Sequence, residues 1–340
     1  MMINLVKTQP KAQFYESFSP KEINNIIQGL SENREIPFKY FYKEKMAKVW
    51  DNSVKNNYLS SNSTTQSDIF LLENSFNFIE QQQEQFDLIN LIDIGPGNSY
   101  PVKQLISQLD EKGWLNRYIG IDISQDILNL SKKNIKNWFP NVDYKGYILD
   151  FEENDFREII KENNIHKKGL KIINILVYLG ETIGNHVKPL NVFKNFRNSL
   201  DKEDILMLTF SLKLPNDNPE FNCKNHISYN AYEYFLELLN IKAEDCEIIG
   251  GFDHDTGRYF TKILFHQDYV LDFKIEEKKR QVFLKKGETI QIYRYRKYPL
   301  NEKLEIEGFF QEMEEANLIV NGCNLDISKL RALAICQPNK

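Results

Sequence analysis

Short apolar runs alternate with stretches of helical periodicity through the middle of the chain. Five of these runs have the length and continuous apolar character of buried parallel strands, and they lie at 88–94, 118–123, 143–149, 171–177 and 204–210. Helical candidates precede or separate them, at 68–85, 100–109 and 125–138. Because strand and helix alternate, the pattern predicts an α/β fold with a doubly wound parallel sheet and helices on both faces.

The pattern changes after residue 211. The later chain is predicted to form an aromatic-rich helix, an antiparallel meander, a further helix and a last strand that returns to the first sheet, at 222–239, 258–298, 301–318 and 330–336. Near the N-terminus, Ser19 and Pro20 have the residue types of a helix start.

Two domains are therefore expected. Residues 66–211 with 301–340 would form the sheet domain. Residues 1–65 with 212–300 would form a second, smaller domain that binds the substrate, built from the N-terminus and a late insertion.

Composition excludes several classes of protein. The net charge of -5 lacks the basic excess of a nucleic-acid binder, and no apolar run reaches the length of a membrane span, so neither partner is expected. The cysteines are scattered without a CxxC pair, so we expect neither a metal site nor a disulfide framework. We expect a cytoplasmic enzyme with a small-molecule partner, and the sequence leaves its oligomeric state open.

Candidate ligand-binding residues follow the first three strands. The segment 93–98 reads DIGPGN, in which Gly95 and Gly97 let the backbone approach a ligand and the next helix offers free N–H groups. Asp93 precedes these glycines, and Asp122 ends the second strand about 25 residues later, where a carboxylate suits ribose hydroxyls. After the third strand, 150–151 supplies a carboxylate (Asp150) and a ring (Phe151) for an adenine.

The glycine pattern distinguishes between two nucleotide-type cofactors. A dinucleotide fingerprint needs a third glycine, and Pro101 lies roughly in that region. The pattern therefore favours S-adenosylmethionine, with S-adenosylhomocysteine as product, over a nicotinamide cofactor. An oxidoreductase stays open, as does a plain turn in which Asp122 only caps the next helix.

The fourth strand ends in a more specific motif, because 178–185 reads YLGETIGN. This segment resembles the Gly-(Ser/Gly/Glu)-Thr-Ile-Gly-Asn signature of the histidine N-alpha-methyltransferases of ergothioneine biosynthesis, relatives of the fungal prenyl-tryptophan N-methyltransferases of the ergot pathway. The segments 36–42 (IPFKYFY), 93–98 and 287–290 (GETI) are similar to further motifs of that family. The resemblance spans about 36–300 and is thin between the motifs.

The resemblance implies a Rossmann-like class I methyltransferase that uses S-adenosylmethionine. Asn185 matches the family's asparagine that binds the substrate amine or carboxylate, and Tyr42 matches a tyrosine that helps to hold the substrate. Tyr58 is the nearest candidate for a second such tyrosine. These three form the predicted catalytic set, and Tyr178 joins the predicted cofactor-binding residues.

Two departures from the family bear on the substrate. Where the histidine enzymes carry a Glu-x-Ser triplet that grips the imidazole, this chain has Tyr293 and Tyr295, our further substrate-binding candidates, although their shared face is equally compatible with core. Residues 221–223 (FNC) replace the family's Ala-Tyr-(Asp/Asn)-Asp stretch. We therefore expect N-methylation of an amino acid or derived amine other than histidine.

Alternatives remain within and outside this enzyme class. One is an O- or ring-N-methyltransferase of a secondary-metabolite pathway, and another is a cofactor-binding subunit without turnover. His186, which follows Asn185, is interpreted as a loop histidine.

Overall fold

The computed structural model describes residues 5–57, 63–164, 169–180, 182–214, 229–303 and 305–339. The helices are α1 Ala12–Ser17, α2 Pro20–Gln28, α3 Glu44–Asn57, α4 Thr64–Gln81, α5 Lys103–Glu111, α6 Gln125–Trp138, α7 Arg157–Asn164, α8 Pro189–Ser199, α9 Tyr229–Leu238 and α10 Phe309–Glu315. The strands are β1 Leu5–Thr8, β2 Leu88–Ile94, β3 Leu115–Asp122, β4 Tyr144–Ile148, β5 Ile172–Tyr178, β6 Ile205–Lys213, β7 Cys246–Asp253, β8 Arg258–Phe265, β9 Asp268–Ile275, β10 Lys278–Leu284, β11 Thr289–Arg296, β12 Tyr298–Pro299, β13 Leu318–Leu325 and β14 Arg331–Pro338.

The chain divides into two compact units, each assembled from two segments. One consists of Met1–Ser53 and Asn218–Arg296, and the other of Val54–Asp217 and Lys297–Lys340.

The second of these units is built on an eight-stranded sheet. Its order is β13-β14-β6-β5-β2-β3-β4, with β12 paired beside β6. Strands β2 to β6 are parallel to their neighbours, as the continuous apolar runs predict, whereas β14 runs antiparallel to β6 and β13 antiparallel to β14. The α/β fold class is confirmed, but the sheet is mixed rather than wholly parallel.

Helices cover both faces of this sheet, and each face has its own apolar core. One core includes side chains from α7, α8 and α10, and the other includes side chains from α4, α5 and α6. Each of these helices presents an apolar stripe to the sheet, as expected for an amphipathic helix on a domain surface. The sheet is therefore doubly wound.

A row of buried amides crosses the sheet near the amino ends of its strands. Asn90 of β2 donates to Asn174 of β5 at 3.1 Å, and Asn116 of β3 donates to Asn90 at 2.8 Å. Asn174 donates its backbone N–H and its side-chain amide to Asp204 Oδ1, at 2.8 and 2.9 Å. Burial raises the pKa of Asp204 to about 6. These polar side chains satisfy one another, which makes their burial tolerable.

The prediction of one helix over 301–318 is wrong. Only Phe309–Glu315 is helical, and Leu318 begins β13. Asn317 takes a left-handed conformation (φ 57°) that ends the helix, and the segment after it pairs along β14. Tertiary pairing overrides the local helical pattern here.

The other unit contains two three-stranded sheets, ordered β1-β9-β10 and β11-β8-β7. Strand β1, which the sequence did not predict, adds to β9 in parallel. Ser19 begins α2 as predicted, and its side chain and that of Glu22 exchange hydrogen bonds with each other's backbone N–H groups. The core of this unit is aromatic, with Phe14, Phe41 and Phe235 all buried.

Candidate functional site

The sheet register brings the predicted cofactor residues to one edge. Ile94 of β2 pairs with Ile121 of β3 and with Tyr178 of β5, and Asp122 pairs with Ile148 of β4. The carboxyl ends of four parallel strands therefore lie side by side. This edge carries Asp93, Gly95, Gly97, Asp122, Asp150, Phe151, Tyr178 and Asn185.

The loop after β2 has a defined conformation that leaves its backbone accessible to a ligand. Gly95, Gly97 and Ser99 have φ values of 63°, 54° and 60°, in the left-handed region that favours glycine. A Cβ built on Gly95 would meet no described atom within 4 Å, so the space above this residue is open. The hydroxyl of Ser99 lies 3.0 Å from that of Tyr118 and 2.8 Å from that of Ser131, which holds the loop in this shape.

Asp93 is buried just before this loop. The hydroxyl of Tyr118 donates to its Oδ2 at 2.6 Å. The pKa of Asp93 is nevertheless raised to about 7, mainly by burial and in smaller part by the negative charges of Asp122 and Asp68. Tyr118 belongs to an apolar strand run, so this contact could not be predicted from the sequence.

Asp122 ends β3, where the backbone N–H groups of Ser124 and Ile123 donate to its carboxylate. The backbone N–H of Ser124 donates to Oδ1 at 2.7 Å, while burial raises the pKa of Asp122 to about 7. Within the described ranges, no lysine or arginine forms an ion pair with Asp93 or Asp122. The edge therefore holds two buried carboxyl groups whose charge the described chain does not balance.

Asp150 and Phe151 follow β4. Asp150 is half-buried and accepts a hydrogen bond from the backbone N–H of Glu152 at 3.2 Å. The ring of Phe151 lies edge-on to Tyr178, with 5.6 Å between the ring centroids, and contacts Phe196 of α8 at 6.2 Å. Their proposed contacts with an adenine stay a prediction.

Asn185 lies at the end of a 3₁₀ turn, Thr182–Asn185, that follows β5. Its Oδ1 is buried and accepts no hydrogen bond from the part of the chain that the structure describes. The turn is fixed from α4, because the backbone N–H of Gly180 donates to Asp68 Oδ2 at 3.0 Å. A buried acceptor left unpaired costs about 1–3 kcal/mol, so the Asn185 oxygen is suited to a donor on a ligand.

His186 lies in the loop after this turn, as predicted, but its buried surroundings could not be predicted from the sequence. It is 6% exposed, and its Nε2 lies 2.5 Å from the hydroxyl of Tyr178. Its Nδ1 lies 3.0 Å from a carboxylate oxygen of Glu152. Tyr178 is therefore a buried ring whose hydroxyl bonds to His186.

In the unit that contains β11, two segments predicted to be functional lie side by side. The backbone N–H of Ile36 donates to Gln291 O, and that of Gln291 donates to Arg34 O, both at 2.8 Å. This bridge places the segment 36–42 next to β11.

Aromatic rings connect the predicted substrate residues of this unit. Phe38 contacts Tyr42 at 5.3 Å and Tyr293 at 5.0 Å between centroids, and Tyr293 stacks with Tyr295 at 6.3 Å. The two tyrosines share a face, as their spacing predicts, and Arg294 between them pairs with Glu35. Phe38 was not among the predicted site residues.

Some predicted positions lie outside the described residues, namely Tyr58 and 221–223. No group of three His, Cys, Asp or Glu side chains in the described ranges is arranged to hold a metal ion. No helix in these ranges combines the length and apolar character that crossing a membrane requires.

A family model described as "histidine-specific methyltransferase, SAM-dependent" matches residues 22–320. The chain belongs to this family. It is therefore a methyltransferase that uses S-adenosylmethionine, which confirms the resemblance of the signature at 178–185. No protein of curated function matches the methyltransferase significantly.

Solved structures of other methyltransferases are similar at low identity. An S-adenosylmethionine-dependent methyltransferase from Clostridium acetobutylicum is 9% identical, with 84% of this chain and 97% of that chain covered and a TM-score of 0.41. The CcbJ methyltransferase from Streptomyces caelestis is 9% identical, with 86% and 98% covered and a TM-score of 0.43. Magnesium protoporphyrin IX methyltransferase from Synechocystis is 8% identical, with 88% and 96% covered and a TM-score of 0.44. Similarity at this level carries no information about the substrate.

The edge of the sheet fits the cofactor of this methyltransferase family. The open space above Gly95 admits a ligand close to the backbone. The buried carboxyl groups of Asp93 and Asp122 suit an ammonium group and ribose hydroxyls, since both of these ligand groups donate hydrogen bonds.

Proposed function

We propose that this methyltransferase N-methylates the amine of an amino acid, or of a small molecule derived from one, and that this substrate is not histidine. The observation that carries the proposal is the buried Oδ1 of Asn185, which accepts no hydrogen bond within the described part of the chain. An amine donates to such an oxygen, whereas a carboxylate only accepts and leaves it unpaired.

Asn185 has a defined task in this reaction. The cofactor supplies a methyl group already activated by its sulfonium, so the protein has mainly to orient the acceptor and exclude water. The attacking nitrogen must be neutral, with its lone pair directed at the methyl group. By accepting an N–H of the amine, Asn185 Oδ1 fixes the direction of that lone pair, which is one part of an orientation effect that in full can supply about 7–11 kcal/mol.

The choice against histidine rests on Tyr293 and Tyr295. The family description names histidine, but a carboxylate and a hydroxyl that grip the imidazole in the histidine enzymes are replaced here by two phenols. A carboxylate accepts a ring N–H through a charge-assisted hydrogen bond, about twice as strong as a neutral one. Without that group, the site no longer favours imidazole over other side chains.

The unit that contains β11 carries aromatic rings of a kind that suits a product with positive charge. Tyr42, Phe38 and Tyr293 form a connected group of rings. A methylated ammonium is attracted to the face of an aromatic ring by about 0.5–2 kcal/mol. We therefore propose that Tyr42 holds the amine, and we add Tyr58 to this role on the resemblance alone.

The test is a mass-shift screen of the purified protein with S-adenosylmethionine and a panel of amino acids and amines that includes histidine. We expect an amine other than histidine to gain one or more methyl groups. Asn185→Ala should lower kcat/KM for that amine about 10–100-fold with S-adenosylhomocysteine binding retained. Asn191→Ala, at an exposed position, serves as the matched control.

Several outcomes would contradict the proposal. If histidine is the best acceptor, the interpretation of Tyr293 and Tyr295 is wrong. If a hydroxyl or a ring nitrogen gains the methyl group, the enzyme belongs to another acceptor class. If S-adenosylhomocysteine binds and no acceptor reacts, the chain is a cofactor-binding subunit.

The same screen tests the specificity argument by restoring the missing groups. Tyr293→Glu combined with Tyr295→Ser should add histidine to the acceptors, because the carboxylate again pairs with a ring N–H. Tyr293→Phe with Tyr295→Phe keeps the rings and is the control, which should not gain histidine. Equal histidine activity in both double variants would remove these positions from the specificity argument.

A further inference from the structure

His186 forms a hydrogen-bonded chain with two residues from other elements. A carboxylate only accepts, so in the neutral imidazole Nδ1 donates to Glu152 at 3.0 Å. Nε2 then accepts the hydroxyl hydrogen of Tyr178, whose oxygen lies 2.5 Å away. The imidazole thus bonds the last residue of β5 to the loop that follows β4.

The position of this imidazole connects the two halves of the site at the sheet edge. On one side, Glu152 directly follows Asp150 and Phe151, the predicted adenine contacts, and the ring of Phe151 lies edge-on to His186 at 6.1 Å. On the other side, His186 directly follows Asn185. A shift of His186 therefore moves the backbone of the residue whose Oδ1 is offered to the acceptor.

Both ends of the turn are held by buried side chains. Asp68, fully buried, accepts the backbone N–H of Gly180, two residues before the turn begins. His186 closes it at the other end, where its own N–H points to Ile183 O at 3.5 Å. Because that last backbone hydrogen bond is long, the side chain of His186 is the stronger restraint on the end of the turn.

A phenyl ring at position 186 would fill the space of the imidazole but would form no directional hydrogen bonds. Phe151 and Tyr178 pack against the imidazole, and Phe196 packs against both of those rings, so the surroundings are largely aromatic. Burying a polar ring here gains little stability over a phenyl ring, but two directional hydrogen bonds fix its angle. The two hydrogen bonds therefore serve to fix the orientation of the His186 ring more than to stabilise the fold.

We propose that His186 is a positioning residue, which ties the turn carrying Asn185 to the loop carrying Asp150 and Phe151 and so holds the Asn185 amide in the orientation that the acceptor amine requires. This inference rests on the proposed role of Asn185 in acceptor binding. It assigns Glu152 and Tyr178 as the two anchors through which His186 acts.

The first test needs no acceptor. Hydrogen–deuterium exchange of the backbone amides of 183–185 is measured with S-adenosylhomocysteine bound, in wild type and in variants. His186→Phe and Glu152→Leu should speed exchange about tenfold or more, because the turn opens more often. His186→Gln and Glu152→Gln, which retain a donor and an acceptor, should stay close to wild type. Unchanged exchange in His186→Phe would overturn the proposal.

The second test uses the amine identified by the mass-shift screen. His186→Phe should lower kcat about 10–100-fold, with a smaller change in KM and less than about threefold change in S-adenosylhomocysteine affinity. His186→Gln should recover most of the activity. A role in stability alone would lower the melting temperature and leave kcat of the folded protein unchanged, which would contradict the proposal.

A double-variant cycle decides whether His186 acts through Asn185. In an Asn185→Ala background, His186→Phe should lower kcat by less than about twofold, since the side chain to be positioned is gone. An undiminished effect in that background would overturn the inference. If no amine is methylated at all, or Asn185→Ala is fully active, the proposed function fails, and the exchange experiment alone decides whether His186 holds the turn.

Discussion

At the scale of single residues, we expect two buried carboxyl groups to set the pH dependence of cofactor binding. Burial raises the pKa of both Asp93 and Asp122 to about 7 in the ligand-free protein. A ligand that donates hydrogen bonds to these groups favours their ionised form and lowers both pKa values. We therefore expect binding below pH 7 to release protons.

This proton release predicts the pH dependence of affinity. The S-adenosylhomocysteine affinity should rise as pH increases from about 6 to 7, by up to tenfold per pH unit for each carboxyl that must ionise, and should level off above pH 7 to 8. Calorimetry in two buffers of different ionisation enthalpy measures the released protons directly. An affinity that stays constant between pH 6 and 8 would show that these groups are already ionised.

Residue-level prediction from the sequence works for the local conformation of the glycine loop, while its ligand contacts stay a prediction. Gly95 and Gly97 could be recognised because a glycine-rich turn directly follows an apolar strand, and the structure gives both positive φ values. Tyr118 and His186 could not, because Asp93 and Glu152, which bind them, come from other segments of the chain. Tyr118 lies within an apolar run, and nothing near His186 in the sequence shows that Tyr178 and Glu152 approach both its nitrogens.

At the scale of elements, a substitution in the loop after β2 should have two separate effects, one on backbone strain and one on the space available to the ligand. Gly95→Ala places a methyl group where φ is +63° and the surroundings are open. We expect a loss of about 1–2 kcal/mol of stability from the left-handed conformation and at least a tenfold loss of S-adenosylhomocysteine affinity. Thermal unfolding and calorimetry measure the two effects.

A control for this variant lies elsewhere in the same unit. Gly113 has φ +70° and equally open surroundings, in the turn before β3. Gly113→Ala should lose similar stability and keep full affinity. If both variants bind S-adenosylhomocysteine equally well, the space above Gly95 is not occupied by the ligand.

The elements themselves were predictable to different degrees. Helix α6 and strand β2 have the bounds that their apolar pattern indicates, Gln125–Trp138 and Leu88–Ile94. Strands β1 and β13 were missed, because each is only partly buried and is defined by its pairing with a distant strand, β9 or β14. A partly exposed strand lacks the continuous apolar run by which buried strands are recognised.

At the scale of the whole molecule, cofactor choice should be visible in thermal unfolding. A ligand present at 100 times its dissociation constant adds about 2.7 kcal/mol to stability. S-adenosylhomocysteine should therefore raise the transition of the unit that contains the parallel strands by several degrees, and NAD should have no effect. Gly95→Ala should weaken the response. Stabilisation by NAD instead would assign the glycine loop to another nucleotide.

The row of buried amides has a consequence at the opposite end of the sheet. Asn90 and Asn174 face each other in register on β2 and β5, and Asn116 joins them from β3. If one strand slid by a single residue, each amide would lose its partner and meet hydrocarbon, at a cost of about 1–3 kcal/mol per group. The row of amides therefore fixes the register of the strands. It keeps Asp93, Asp122 and Tyr178 level with one another, although the amides lie toward the other end of the strands.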